Sequence, residues 1–257
     1  MLEKFFSKSG TYPAYEMFSA THIKIMIMCT VCIVIALVLS HKTEKKEVLK
    51  NIRVYTVILW IMETAKIIFN LMKDAKPNSF IPLYFCSIPL YAGIMSSVGK
   101  GKVKKIGDVF LAVGGIVGGI AYIISPSTTA GTYQAFHFIT IQSFVHHSLM
   151  VYLGVLMLMK EYVSLKLRDW KYYTGIICVV SVIAYAVNIV LDTNLMFITR
   201  THPGTAVDLV YKMSPELFPI SMTIIQGVLP FFVVYGIAKI CKNIKQHREE
   251  LIEADAT

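Results

Sequence analysis

Seven stretches of mostly apolar residues follow one another along the chain, near 22–40, 54–72, 78–98, 106–125, 133–159, 172–191 and 217–239, separated by charged connections. A hydrocarbon core about 30 Å thick takes about 20 residues of helix. In lipid, each spanning segment has to satisfy its own backbone N–H and C=O groups, which a helix does and an isolated strand does not. The pattern predicts an all-α integral membrane protein: a bundle of seven transmembrane helices making one domain over 1–257.

Composition excludes the soluble alternatives. With 55% hydrophobic residues and a mean hydropathy of +0.61, the chain is too apolar for a water-soluble domain of its length. The net charge of +9 would suit a nucleic-acid binder if it were gathered on one face, but the cations lie between the apolar runs. No nucleic-acid partner is expected, and membrane lipid is expected as both solvent and substrate. Of the 25 Lys and Arg residues, 17 fall in the connections 41–53, 99–105 and 160–171 and in the stretch from 239 onward, 7 fall on the other side, and Lys66 lies inside the second run. The positive-inside rule then places the N-terminus outside and the C-terminus in the cytoplasm of a cell membrane. The first run starts after a mixed-polarity segment and lacks a small-residue cleavage pattern, so it is expected to remain as the first span. Cys29, Cys32, Cys86, Cys178 and Cys241 are scattered, which predicts no structural disulfide and no metal centre.

Within the runs, Gly114, Gly115, Gly118 and Gly119 form two interleaved pairs of small residues four apart, a pattern that lets a neighbouring helix approach closely. Pro82 and Pro89 fall in the third span, which is expected to be kinked or broken beside a cavity.

Ionisable and strongly polar side chains at bilayer depth are costly, so each is a functional candidate. Glu63 and Lys66 lie three apart on one face of the second span and can neutralise each other. Gln134, His137, Gln142, Ser143, His146 and His147 make the fifth span the most polar. His146 follows Gln142 by four and His147 follows Ser143 by four, giving two stripes about 100° apart, so the two histidines cannot both face one pocket squarely. Cys86 falls near the middle of the third span and the histidines near the middle of the fifth, so a thiol and an imidazole come to similar depth. Asn188, Asp192 and Asn194 suggest capping and interfacial hydrogen bonds after the sixth span, and His22 opens the first span near the outer surface.

Taken in order, Phe18 with His22, Glu63, Pro82-Leu83-Tyr84-Phe85-Cys86-Ser87, Gln142 with His146-His147, and Asn188 with Asn194, Met196, Phe197 and Pro203 resemble the YwaF-type bacterial integral membrane proteins over about residues 15–240. That family is similar to the eukaryotic transmembrane protein 164 group of phospholipid acyltransferases. The resemblance implies a catalytic pair of Cys86 and His147, with His146, Tyr84, Gln142, Glu63, Asn188, Asn194 and His22 supporting it or binding substrate. The chain departs from the pattern at Tyr84, where the bacterial motif often has His, and at His146, where the eukaryotic relatives have Gln.

The expected activity is acyl transfer between phospholipid and lysophospholipid with no cofactor, His147 acting as base for the Cys86 thiol and Tyr84 or His146 steadying the oxyanion. A lipid hydrolase is chemically adjacent. Two rivals of other classes remain: a proton-coupled transporter with Glu63, Lys66, His146 and His147 at its midplane, and a non-catalytic lipid-binding protein. Protein partners and oligomeric state are not legible.

Overall fold

A computed structural model describes residues 2–201 and 206–255; Pro203 lies outside them. The helices are α1 (Leu2–Phe5), α2 (Ala20–Leu39), α3 (Lys45–Met72), α4 (Ile88–Val98), α5 (Gly101–Ile124), α6 (Phe138–Met159), α7 (Trp170–Leu191), α8 (Ala206–Met213) and α9 (Phe218–Asp255), with short 3-10 turns between some of them. Among the described residues there is no strand. Six helices, α2, α3, α5, α6, α7 and α9, are long and apolar enough to cross a membrane. Their outer faces carry exposed Val31, Ile35, Ile61, Val182, Ile189, Ile224 and Leu229. In water such faces would be a liability; against acyl chains they are the expected surface.

The third predicted span differs from the other six. Residues 78–98 do not form one helix: 3-10 turns at Pro77–Ser79 and Phe85–Ser87 bracket a non-helical stretch, and only Ile88–Val98 is α-helical. The two prolines account for this. Pro82 lies in the irregular stretch, and Pro89 sits in the first turn of α4, where a missing N–H interrupts no helical bond. The segment still follows α3 along its length. Asn70 Nδ2 donates to the Ser79 carbonyl at 2.8 Å, Trp60 Nε1 to the Leu90 carbonyl at 3.2 Å, and the Arg53 guanidinium to the Ser97 carbonyl at 3.4 Å. The two therefore run antiparallel in one register from Ser79 to Ser97.

Two helices also differ in extent from the apolar runs 133–159 and 217–239. Gln134 and His137 precede α6, because His137 serves as its N-cap: its Nδ1 accepts from the Ile139 N–H at 3.1 Å. Helix α9 runs on to Asp255, well past the expected end at 239.

Helix α5 is the central post, packed against α4, α6, α7 and α9. Its glycines set the spacing. A Cβ on Gly115 would stand 2.9 Å from the Met150 carbonyl oxygen, and one on Gly119 2.6 Å from that of His147. On the other side of the contact, a Cβ on Gly154 would stand 3.0 Å from the Leu111 carbonyl oxygen. Such close backbone approach is what small residues four apart permit. At the basic end of the helix, Lys104 pairs with Asp108 at 3.0 Å and donates to the Tyr162 hydroxyl at 2.7 Å, while Lys105 pairs with buried Asp169 at 2.8 Å. Two lysines of the 99–105 connection thus also lock the helix ends together.

Candidate functional site

The site forms where the broken segment before α4 and the middle of α6 both rest on α5. The contact is possible because α5 presents glycine there: Gly118 faces the Phe85 ring and Gly119 the backbone of His147. Cys86 lies in the 3-10 turn that follows the extended residue Tyr84. Taken as a whole residue, Cys86 is half-buried.

The adjacent histidines do different things. His146 Nε2 lies 3.0 Å from the Cys86 carbonyl oxygen; a carbonyl only accepts, so Nε2 carries the proton and Nδ1 the lone pair. That Nδ1 is buried and meets no hydrogen-bond partner among the described residues. His147 is bound the other way round. Its Nδ1 lies 2.7 Å from the Ser143 carbonyl oxygen, one turn back on its own helix, so Nδ1–H donates and Nε2 carries the lone pair. The two rings are 5.2 Å apart.

Tyr122, which the sequence reading did not single out, completes the support. Its ring stacks on His147 at 3.7 Å between centroids and 10° from parallel, while its hydroxyl bonds Thr129 Oγ1 at 2.8 Å. Thr129 also bonds the Tyr15 hydroxyl at 2.7 Å. No local pattern marks Tyr122, since its role depends on where the last turn of α5 meets α6.

Glu63 and Lys66 of α3 form the expected ion pair at 2.7 Å, with Glu63 almost fully buried. Both are near enough to act electrostatically on Cys86 and His146. Gln142 is buried one turn before His146, accepts a hydrogen bond from Ser143 Oγ at 3.3 Å, and touches a groove of about 240 Å³ between α3 and α6 lined also by Ile61, Ala65 and Val145.

The remaining candidates sit apart from these groups. The Tyr84 hydroxyl donates to the Asn78 carbonyl at 2.9 Å, so its proton is engaged in the loop, as that of His146 Nε2 is engaged at Cys86. Neither hydrogen is free for an oxyanion. Asn188 and Asn194 build the connection after α7. The Asn188 amide oxygen accepts from the Leu195 N–H and Thr193 hydroxyl at 2.7 Å each, and its Nδ2 donates to the Leu195 carbonyl at 3.0 Å. The Asn194 side chain accepts from Thr199 and Arg200, and its N–H donates to Asn78 Oδ1 at 2.8 Å. This connection carries Phe197 onto the Tyr84 ring at 5.4 Å, so both asparagines act on the Cys86 segment from its far side. His22 is buried: it accepts from the Phe18 N–H at 2.9 Å and donates from Nε2 to the Ile123 carbonyl at 3.1 Å, capping the end of α5. Among the described residues no group of His, Cys, Asp and Glu side chains is arranged to hold a metal.

Long lipid-facing helices around a polar cluster define a multi-pass membrane protein with ionisable groups sunk among its helices. A family model described as the TMEM164 family matches residues 17–237, and the chain belongs to that family. No curated protein and no solved structure matches it.

Proposed function

We propose that the chain is a membrane-embedded lipid acyltransferase working through Cys86 and His147. The observation that carries this reading is the pairing of two bonds from one helix turn: His146 holds the Cys86 backbone, while His147 is fixed in the tautomer whose Nε2 accepts a proton. In the proposed cycle, His147 Nε2 takes the thiol proton and the thiolate attacks the ester carbonyl carbon of a phospholipid. The lysolipid oxygen leaves with the proton from His147, and a thioester remains on Cys86. The hydroxyl of a second lysolipid then gives its proton to His147 and attacks the thioester, and the Cys86 sulfur leaves and regains the proton. Every bond made has a bond broken, and no cofactor enters. A lipid substrate is in keeping with the apolar groove between α3 and α6 that Gln142 touches.

The test is acyl exchange between labelled phospholipid and lysophospholipid in liposomes. Cys86→Ser keeps nearly the same volume but a far less acidic nucleophile, and His147→Gln keeps a donor but no base, so both should fold and lose most activity, roughly 100-fold to 10,000-fold for the base. Release of free fatty acid without exchange would make the protein a hydrolase. Exchange at the parent rate in both variants would remove the pair, and ion-gradient-driven uptake independent of Cys86 would favour transport through Glu63 and Lys66.

The same reading includes seven crossings with an external N-terminus and cytoplasmic C-terminus. Supporting it, the broken segment accompanies α3 from Asn70 to Arg53, a length of about 26 Å at the helical rise. A reporter fused after Thr257 should be cytoplasmic and one placed in 125–132 external; an external C-terminus would overturn this topology.

A further inference from the structure

The Cys86 carbonyl has a donor problem that the sequence creates and the fold solves. In the turn Phe85–Ser87 the hydrogen bonds run from a residue to the carbonyl three before it: the Ser87 N–H goes to Tyr84 at 2.9 Å, and the Ile88 N–H goes to Phe85. The next bond in this series would come to Cys86 from residue 89, which is proline and has no N–H. A buried carbonyl left without a donor is costly, and the turn would tend to open. His146 Nε2–H, from a different helix, stands at 3.0 Å in its place.

We propose that His146 is a positioning residue: it supplies to the Cys86 carbonyl the hydrogen bond that Pro89 cannot give, and so holds the thiol-bearing turn closed. This deepens the Cys86–His147 reading but does not depend on acyl transfer. The two histidines then divide the work, one fixing the nucleophile's backbone and the other serving its side chain. Placing proline after the cysteine frees the turn from its own backbone pairing and transfers control of it to α6.

The experiment measures how fast Cys86 is alkylated by a small membrane-permeant maleimide in the folded protein, in a background where the other four cysteines are serine. His146→Leu removes the donor, and alkylation should quicken roughly tenfold as the turn opens more often. His146→Gln places an amide N–H near the same point and should stay within about twofold of the parent. The decisive arm is Pro89→Ala added to His146→Leu: the new N–H at residue 89 can reach the Cys86 carbonyl, so alkylation should slow again toward the parent rate. Should His146→Leu fail to accumulate, His146→Asn, polar but one bond too short, takes its place with the same expectation. An unchanged or slower rate in the Leu or Asn variant, or no slowing on adding Pro89→Ala, overturns the proposal. If the alkylation pattern holds while none of the proteins exchanges acyl chains, the positioning role stands and the acyltransferase reading falls.

Discussion

The imidazole of His147 lies flat on the ring of Tyr122, centroids 3.7 Å apart, while its Nδ1–H is tied to the Ser143 carbonyl. Ring plane and tautomer are therefore both fixed, as the proposed role of His147 as a base requires. Tyr122→Phe keeps the stack and loses the Thr129 hydrogen bond, an expected cost of about 1 kcal/mol. Tyr122→Leu should cost about 0.5–1.5 kcal/mol more and slow acyl exchange further, since the ring is then free to turn. Thermal melting in detergent alongside exchange rates tests this; equal losses in the two variants would mean the stack contributes nothing.

Gly119 tests the close approach of α5 and α6. A methyl there would meet the His147 carbonyl oxygen at 2.6 Å and Val151 Cγ2 at 2.5 Å, and the carbonyl cannot move without moving the helix. Gly119→Ala should destabilise by about 1–3 kcal/mol. Gly175→Ala on α7, where a methyl meets nothing within 4 Å, should be neutral or slightly stabilising. Comparable melting temperatures for the two variants would contradict the packing described.

Asn188 reaches the site at second hand. Asn188→Ala removes three hydrogen bonds around Thr193 and Leu195, an expected loss of about 1–3 kcal/mol. Because the same connection seats Phe197 against Tyr84, limited proteolysis should cut the 192–201 segment sooner in the variant. An unchanged cleavage rate would detach Asn188 from that role.

Acid should loosen the start of α6 through His137. Its Nε2–H donates to the Ser7 carbonyl at 3.1 Å and its Nδ1 caps the helix. Burial holds its pKa below the ordinary 6.5; the Ser7 bond opposes this and the charge of Lys73 adds to it. With the folded value depressed, the unfolded chain binds the proton more readily, so stability is fully present above the unfolded pKa of about 6.5 and is lost as pH falls from there through the folded value. His137→Asn keeps a capping oxygen without titrating. Between about pH 7.5 and about pH 5, the parent should therefore lose melting temperature faster than the variant. Parallel pH slopes would show that His137 titrates without affecting stability.

Some of this was legible in the residues and some was not. The lipid-facing helical architecture was, because spanning length is a property of about twenty consecutive residues and needs no knowledge of neighbours. The Glu63–Lys66 pair was legible for the same reason: residues three apart on one helix meet whatever surrounds them. Pro82 and Pro89 announced a break in the third span, since a missing N–H is local. Which carbonyl the break leaves open, and that His146 closes it, required α6 to be in place.

That His146 and His147 diverge was legible in the sequence; what each one meets was decided by tertiary structure. Neighbouring side chains on a helix diverge by about 100°, so one sequence position of difference sends the first toward the Cys86 carbonyl and the second against Tyr122. Asn188, Asn194 and His22 read as capping or interfacial polar residues in the sequence, and the fold gives each a backbone partner: His22 the Ile123 carbonyl far along the chain, Asn188 the Leu195 N–H, and Asn194 the N–H groups of Thr199 and Arg200. Periodicity and hydropathy report how a segment meets its solvent; the partners of a buried donor or acceptor are set by which helices pack together, and here the glycine face of α5 brings them into reach.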